Sequence, residues 1–543
     1  MNSSEKETKV WQCLAASVVI LIVLAAIRWS LAHPFGIHWD ESEYLNSSFV
    51  DSQRLFSGRL LSLGARLLLG SWGRPPAYRI LALPFLLLFG FHPTTARLES
   101  LTCFGLSCWF IYAAARRMGS ATAGAFAVLV FALSSEVVSA SIFFGTDAPL
   151  FLATSALLYF IFEFWQGRSE IKPNWVGLGV ALGLGFMAKT SFFLIGPPVV
   201  LFWLVVSRWR RMGIPAPGVA WKSAIIAGVI AGPWWLLNFR SCIAYAKFAR
   251  AFVRNSLGPP SLLTWARWLY SVFQCYLGVA LGIFVGFVFV GVLVRAILKK
   301  ESNLEPLQRA SLGACACAGL PIVFAQLSGV NHLLRHISPA AVPLAIAVGL
   351  LASATGWARS PLLIATSLML FLIQLGMLLY PVYSPNNQQL DLGYINGAPP
   401  WKVLVRYDQW DWEPLWSKVQ SCGLESPHIA YLGNGRQFNP PAIEYPWIRH
   451  DGSADVKWLW RYEDGPIDWQ KVMSLANQSD IVITAPNWVG EFRYKEDLDN
   501  QHNVQFLGWI FQDPEFQKPI EMKMGRFEPV EVTVSVNRRL SCH

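Results

Sequence analysis

The residues of this chain that could do chemistry are few, and they stand at the ends of apolar runs. His38-Trp39-Asp40-Glu41-Ser42-Glu43-Tyr44 follows one such run, and Phe144-Gly145-Thr146-Asp147-Ala148-Pro149 leads into another. Two readings of these carboxylates stand side by side. Asp and Glu favour the first turn of a helix, where they meet unpaired N–H groups and the positive end of the macrodipole; Pro149 suits that turn as well. Ionisable groups near membrane depth are also costly, which makes them candidates for function. Adjacent residues on a helix point different ways, so Asp40 and Glu41 are expected to do separate jobs. The cations form a second set: Arg74 in Arg74-Pro75-Pro76, Lys189 after Gly183-Leu184-Gly185-Phe186-Met187-Ala188, and Arg335 and His336 in His332-Leu333-Leu334-Arg335-His336. Arg240, Lys247, Arg250, Arg254 and Arg267 crowd the stretch 238–267. Snorkelling and headgroup contact are the plain explanation. Phosphate is the chemical one, because arginine forks bind it bidentately.

The elements that must position these residues are mostly apolar. Of 543 residues, 54% are hydrophobic and 14% charged, against about 25% charged in a soluble globular protein. Such a composition excludes a disordered chain and argues against a soluble enzyme, since too little polar surface remains to face water. A polytopic α-helical membrane protein is left. Taking about 20 apolar residues per span, about eleven stretches qualify: 10–31, 95–115, 122–142, 149–164, 175–187, 192–206, 223–237, 268–296, 310–327, 337–358 and 361–380. The first lacks a clean small-residue cleavage site and reads as a retained span. The run within 75–91 is too short to cross and reads as interfacial or re-entrant.

With the N-terminus inside, the basic clusters Arg116-Arg117, 168–172, Arg208-Trp209-Arg210-Arg211, 295–300 and Arg359 all fall on the inner face, as the positive-inside rule requires. Residues 33–94, the turn at 145–148, 238–267, 328–336 and the chain beyond 381 then lie outside. This places Asp40 and Asp147 on one side, together with the basic stretch 238–267, whose charge is unusual for an outer segment and calls for an anionic partner. Nucleic acid is a poor fit for a chain so largely embedded.

Residues 383–543 are polar, with β-like runs at Ile481-Val482-Ile483-Thr484 and 530–536 and turns at Gly433-Asn434-Gly435 and Asp464-Gly465-Pro466. They are expected to form a mixed α/β extracytoplasmic domain, with 1–382 as the multi-span domain. Most of the nine cysteines lie in spans, where cysteine acts as a small apolar residue; Cys422 and Cys542 are placed to pair in an oxidising compartment. Trp401, Trp410, Trp412, Trp416, Trp447 and Trp488 offer either sugar-stacking faces or domain core.

Taken in order, these segments resemble those of the GT-C glycosyltransferases. The nearest kin are the dolichyl-phosphate-mannose protein mannosyltransferases and the bacterial lipid A aminoarabinose transferases. The matching segments are Asp40-Glu41 after the first span, Arg74-Pro75-Pro76-Ala77-Tyr78 with Leu88-Phe89-Gly90, Ala96-Arg97-Leu98, Thr146-Asp147-Ala148-Pro149-Leu150, Lys189, and Arg335-His336 before Pro339. Arg74 stands where a lysine is common, and His336 where a tyrosine is. The resemblance spans roughly residues 10–380 and implies an inverting enzyme that moves a sugar from a polyprenyl phosphate to an acceptor hydroxyl on a lipid, glycan or protein at the outer face of the cell inner membrane. It implies Asp40 as the base, Glu41 as a holder of acceptor or sugar hydroxyls and Asp147 as support. Arg74, Lys189, Arg240, Lys247, Arg250, Arg254, Arg335 and His336 would receive the donor phosphate. A divalent ion shared by Asp40 and Asp147 is conceivable but unneeded beside so many cations, so no cofactor is expected. The competing class is a transporter or flippase of lipid-linked sugar. Transporters place ionisable groups at the midplane of two similar halves, whereas this chain gathers its carboxylates at one face and shows no internal symmetry.

Overall fold

A computed structural model describes residues 3–70, 73–166, 174–210, 216–257, 261–299, 304–328, 334–355, 357, 360–383, 410–433, 438–460, 467–485, 500–517, 519–525 and 530–538. The 168–172 cluster, Arg211, Lys300, His332, Leu333, Arg359, Trp401, Asn434, Gly435, Trp488, Cys542 and the turn 464–466 lie outside them. The chain forms two compact units. One comprises Met1–Ser30, Gly64–Leu81 and Arg97–Arg406; the other comprises Leu31–Leu63, Ala82–Ala96 and Tyr407–His543.

The first unit is helical, and it makes the protein a multi-pass membrane protein. Among the described residues, seven helices are long and apolar enough to cross a bilayer: Thr8–Ala32, Pro93–Met118, Asp147–Gln166, Thr190–Trp209, Pro217–Lys247, Pro306–Ser328 and Pro361–Tyr380. Two bent pairs, Ala121–Ala132 with Ser135–Ile142 (67°) and Trp268–Leu277 with Val279–Arg295 (109°), raise the count to nine at most. This falls short of eleven. The remaining two stretches are helical but short, at Trp175–Ala188 and Ser338–Ala354. Fourteen residues rise about 21 Å, less than a hydrocarbon core of about 30 Å.

The breaks in the bent pairs free backbone carbonyls, which must find donors where water is scarce. One side chain serves both. Gln374, fully buried, donates through Nε2 to the carbonyls of Leu133 (3.1 Å) and Leu277 (3.2 Å) and lies 3.2 Å from Ser135 Oγ. Gly278, at φ 90°, leaves the space that Gln374 occupies. Apolar packing surrounds these ties: the Phe126 ring lies 4.7 Å from Trp11, 5.8 Å from Phe284 and 6.2 Å from Phe371.

The basic stretch 238–267 is largely helical among the described residues. A single helix, Ala216–Leu257, runs 42 residues through it, and Leu262–Ser271 follows. The segment from Asn238 to Leu257 contains no glycine and no proline, so nothing in it breaks the helix.

The second unit is built around a five-stranded sheet of order β2-β1-β3-β5-β4, comprising β1 (His428–Leu432), β2 (Asp455–Trp458), β3 (Ile481–Thr484), β4 (Ile520–Met524) and β5 (Val530–Val536). The first three strands are parallel, and β5 runs antiparallel to both β3 and β4. Ile429 and Tyr431 face one core with Trp410, Trp412, Phe438 and Trp447. Ala430 and Leu432 face another with Val472, Phe506 and Ile510. A parallel strand covered on both faces reads as a continuous apolar run, which Ile-Ala-Tyr-Leu is. Cys422 is disulfide-bonded.

Candidate active site

Three of the residues singled out in the sequence meet in the first unit. Asp147 opens the helix Asp147–Gln166, and its carboxylate is 1% exposed. Lys189 Nζ donates to Oδ1 at 2.6 Å and Arg335 Nε to Oδ2 at 2.8 Å. Local structure explains how they arrive there. Lys189 ends the helix Trp175–Ala188 in extended backbone (φ −157°, ψ 144°) before the turn Thr190–Leu194. Gly179 and Gly183 let that helix lie against Ile226 and Ile230 of the long basic helix, the small-residue contact of membrane interfaces. Arg335 lies in the turn Leu334–His336. Its carbonyl accepts Ser338 Oγ at 2.8 Å, Tyr276 Oη donates to Ser338 O at 3.0 Å, and Ser134 Oγ donates to Tyr276 O at 2.8 Å. The guanidinium also rides 4.5 Å over the Phe143 ring.

One buried carboxylate between two cations leaves a net positive charge. Both cations stay partly open to solvent, 17% for Lys189 and 27% for Arg335. A carboxylate taken out of water is tolerated only when it is paired and hydrogen-bonded, and Asp147 meets that condition. The cluster can therefore hold a further anion.

Arg74 is set against the basic helix. Its Nη2 lies 3.4 Å from Tyr245 Oη, and its guanidinium is 5.4 Å from that ring. Gly73, at φ 77°, has Ser241 O and Tyr245 Cβ where a side chain would stand, which only glycine accommodates. Arg240 and Lys247 are exposed on the same helix. Arg250, Arg254 and Arg267 are helical, with side chains outside the described set. His336 is half-buried in the Arg335 turn.

Asp40 and Glu41 belong to the second unit, in the first turn of the helix Trp39–Phe56. His38 is its N-cap, with Nδ1 accepting Asp40 N–H at 3.3 Å. Glu41 is fully buried, and its Oε2 accepts Ile37 N–H at 2.9 Å, tying the preceding chain to the helix start as a capping glutamate does. Asp40 is half-buried. The acidic helix is seated on the C-terminal helix Pro440–Arg449: Asn46 Nδ2 donates to Pro441 O and Gln53 Nε2 to Ile448 O, each at 2.7 Å, and Phe49 lies 5.9 Å from Tyr445.

Some buried polar residues escaped sequence reasoning. Arg79 is fully buried, and so is Glu99, whose carboxylate accepts Ser100 Oγ at 3.0 Å and Cys103 Sγ at 3.2 Å. A lone charge inside an apolar stretch was the signal for both.

The family described as dolichyl-phosphate-mannose-protein mannosyltransferase matches residues 73–236, a stretch that holds Arg74, Asp147 and Lys189 but neither Asp40 nor Arg335. Undecaprenyl phosphate-alpha-4-amino-4-deoxy-L-arabinose arabinosyl transferase 1 of Pseudomonas fluorescens is 25% identical over 268 residues, 48% of this chain and 46% of that protein. The chain thus aligns with about half of that relative's length. The crystal structure of ArnT from Cupriavidus metallidurans bound to undecaprenyl phosphate matches with a TM-score of 0.55 at 15% identity, covering 96% of this chain and 98% of that one. The chain thus shares the ArnT fold along nearly its whole length, and it is similar in sequence, over part of its length, to lipid-phosphate-dependent glycosyltransferases. The arabinofuranosyltransferase AftD from Mycobacteria is also similar in fold, with a TM-score of 0.54 at 12% identity over 97% of this chain and 40% of that one. These likenesses extend through the C-terminal sheet, for which the sequence alone suggested no relative.

Proposed function

We propose that the chain is an inverting glycosyltransferase that moves a sugar from a polyprenyl-phosphate donor to an acceptor hydroxyl at the outer face of the cell inner membrane. The observation that carries this reading is the Asp147–Lys189–Arg335 cluster, a pre-organised site with positive charge to spare. Asp40, on a partly open helix start, accepts the proton of the acceptor hydroxyl. The acceptor oxygen attacks the anomeric carbon, the bond from that carbon to the phosphate oxygen breaks, and its electron pair leaves with the lipid phosphate. The charge developing on that phosphate falls to Lys189 and Arg335, held in place by Asp147 before the reaction begins. Arg74, Arg240 and Lys247 draw the anionic headgroup to the same enzyme. Both oxygens of Asp147 are already engaged by cations, which sets this carboxylate up to hold Lys189 and Arg335 rather than to ligate a metal ion. A disulfide at Cys422 suits an oxidising compartment and supports an extracytoplasmic C-terminal sheet. The relatives named above include one solved with undecaprenyl phosphate, which supports a donor of that class.

The test is reconstitution of the full chain in nanodiscs with an undecaprenyl-phosphate-linked sugar, scoring released undecaprenyl phosphate. Asp40→Asn is expected to fold as the wild type and to lose about 10²–10⁴-fold in rate. Full activity in that variant removes Asp40 from the role of base.

A further inference from the structure

We propose that a cavity of the second unit is a subsite for one sugar residue of a glycan acceptor. This rests on the transferase reading and adds the acceptor's chemical class to it. The cavity measures about 270 Å³ and is lined by the chain before the acidic helix, that helix itself, the stretch Trp410–Glu413 and the helix Pro440–Arg449. Its volume lies at the lower bound for small-ligand sites, about 300 Å³, which suits a single sugar ring. Its lining alternates ring edges with hydrogen-bonding groups. Trp410 and Tyr445 supply apolar surface, while Asp411, Glu413 and Arg449 supply acceptors and donors. A sugar presents the complement, with apolar C–H faces and a rim of hydroxyls.

Three observations sharpen the assignment. Glu413 is fixed by Arg449 Nη1 at 2.9 Å and His450 Nε2 at 3.0 Å, and Asp411 by Glu413 N–H at 3.0 Å, so the polar rim is set before any ligand arrives. Two carboxylates stand against one guanidinium that is already paired, which disfavours a phosphorylated sugar and favours a neutral or amino sugar. Ser42, 3% exposed, lines the cavity with a hydroxyl that has no hydrogen-bond partner. Gly36 leaves room for it, since a side chain there would collide with Ser42 Oγ. A buried, unsatisfied hydroxyl is the exception in folded proteins, and a ligand hydroxyl satisfies it. Ser42 follows Asp40 by two residues, about 200° around the helix. The cavity therefore does not hold the hydroxyl that Asp40 would deprotonate, and it recognises a neighbouring residue of the same acceptor.

The test measures tryptophan quenching and saturation-transfer NMR on the full chain in nanodiscs without donor. The probes are glucose, galactose, mannose, glucosamine, N-acetylglucosamine and glucose 1-phosphate. At least one neutral or amino sugar is expected to bind saturably and to outcompete glucose 1-phosphate. Ser42→Ala, which removes no side-chain hydrogen bond within the protein, should weaken that binding about 3- to 10-fold at unchanged thermal stability. Ala442→Phe, which fills the cavity, should abolish it. The proposal is overturned if none of the six sugars binds, if glucose 1-phosphate binds best, or if both variants bind like the wild type. Binding that follows the expected pattern in a protein inactive with every donor would sink the transferase reading and leave the cavity assigned. Transfer to a glycan with an acceptor KM unmoved by Ala442→Phe does the reverse.

Discussion

A carboxylate gripped by both a lysine and an arginine behaves differently from any of the three alone. Removing one cation takes one of two charge-assisted hydrogen bonds from a buried carboxylate, at a cost of about 1.5–3 kcal/mol. Arg335→Met is therefore expected to lower both unfolding stability and transfer rate. The double variant Asp147→Asn, Arg335→Met should recover part of the stability, because no buried carboxylate remains and Lys189 keeps its access to solvent, while activity stays down about 10²–10³-fold. Thermal unfolding and single-turnover transfer, measured on the same preparations, separate the two effects; recovery of activity in the double variant would deny Arg335 its place at the leaving phosphate. A second carboxyl titrates in an accessible range. Glu444, on the helix Pro440–Arg449, is pushed from an ordinary 4.5 to about 8, first by burial and then by the negative charges of Asp455 on β2 and Glu43 on the acidic helix. Asp455 in turn is held down by Lys457 and His428. Native Glu444 keeps a proton that the unfolded chain gives up. Its contribution to stability is thus complete below about pH 4.5, shrinks as pH rises to about 8, and is flat beyond. Glu444→Gln should flatten that decline in a stability profile across this window, and an unchanged slope would count against it.

Helix breaks are the notable features at the scale of elements. Ala121–Ile142 reads in the sequence as one apolar run, yet it bends 67° between Ala132 and Ser135. The reason lies outside the run, in Gln374, which supplies the amide that the broken backbone needs. Gln374→Leu keeps the side-chain volume and strips that donor from two carbonyls. It should destabilise the protein by about 1–3 kcal/mol in a detergent unfolding assay, with a stability equal to wild type arguing that water takes its place. The long basic helix shows the opposite case. The sequence places 238–267 outside the spans, but a charged sequence free of glycine and proline continues a helix readily, and Arg240 and Lys247 ride on that continuation. The acidic helix Trp39–Phe56 begins at the cluster that the sequence marks after its first apolar run. Its buried Asn46 makes sense only against the C-terminal helix, where its Nδ2 donates to the Pro441 carbonyl.

For the molecule as a whole, composition determined the class. A chain with 54% hydrophobic and 14% charged residues has to be solvated by lipid, and its strand-like runs at 481–484 and 530–536 became β3 and β5 with those bounds. Local signals also marked the working residues, because a charge at the end of an apolar run is conspicuous without any structure. The sequence could not tell which of them would be partners. Asp147 and Lys189 are 42 positions apart, and Asp147 and Arg335 are 188. No periodicity reaches across such distances. Lys189 and Arg335 read singly as phosphate ligands, and only the packing of the membrane helices revealed that each already holds Asp147 and that the surplus charge belongs to the three together. The same holds for Ser42, a routine helix residue in sequence, which becomes an unsatisfied hydroxyl beside a cavity once the C-terminal domain folds against it. Type and spacing are local properties written in the chain; partnership and burial depend on contacts distant in sequence, and those exist only in the folded protein.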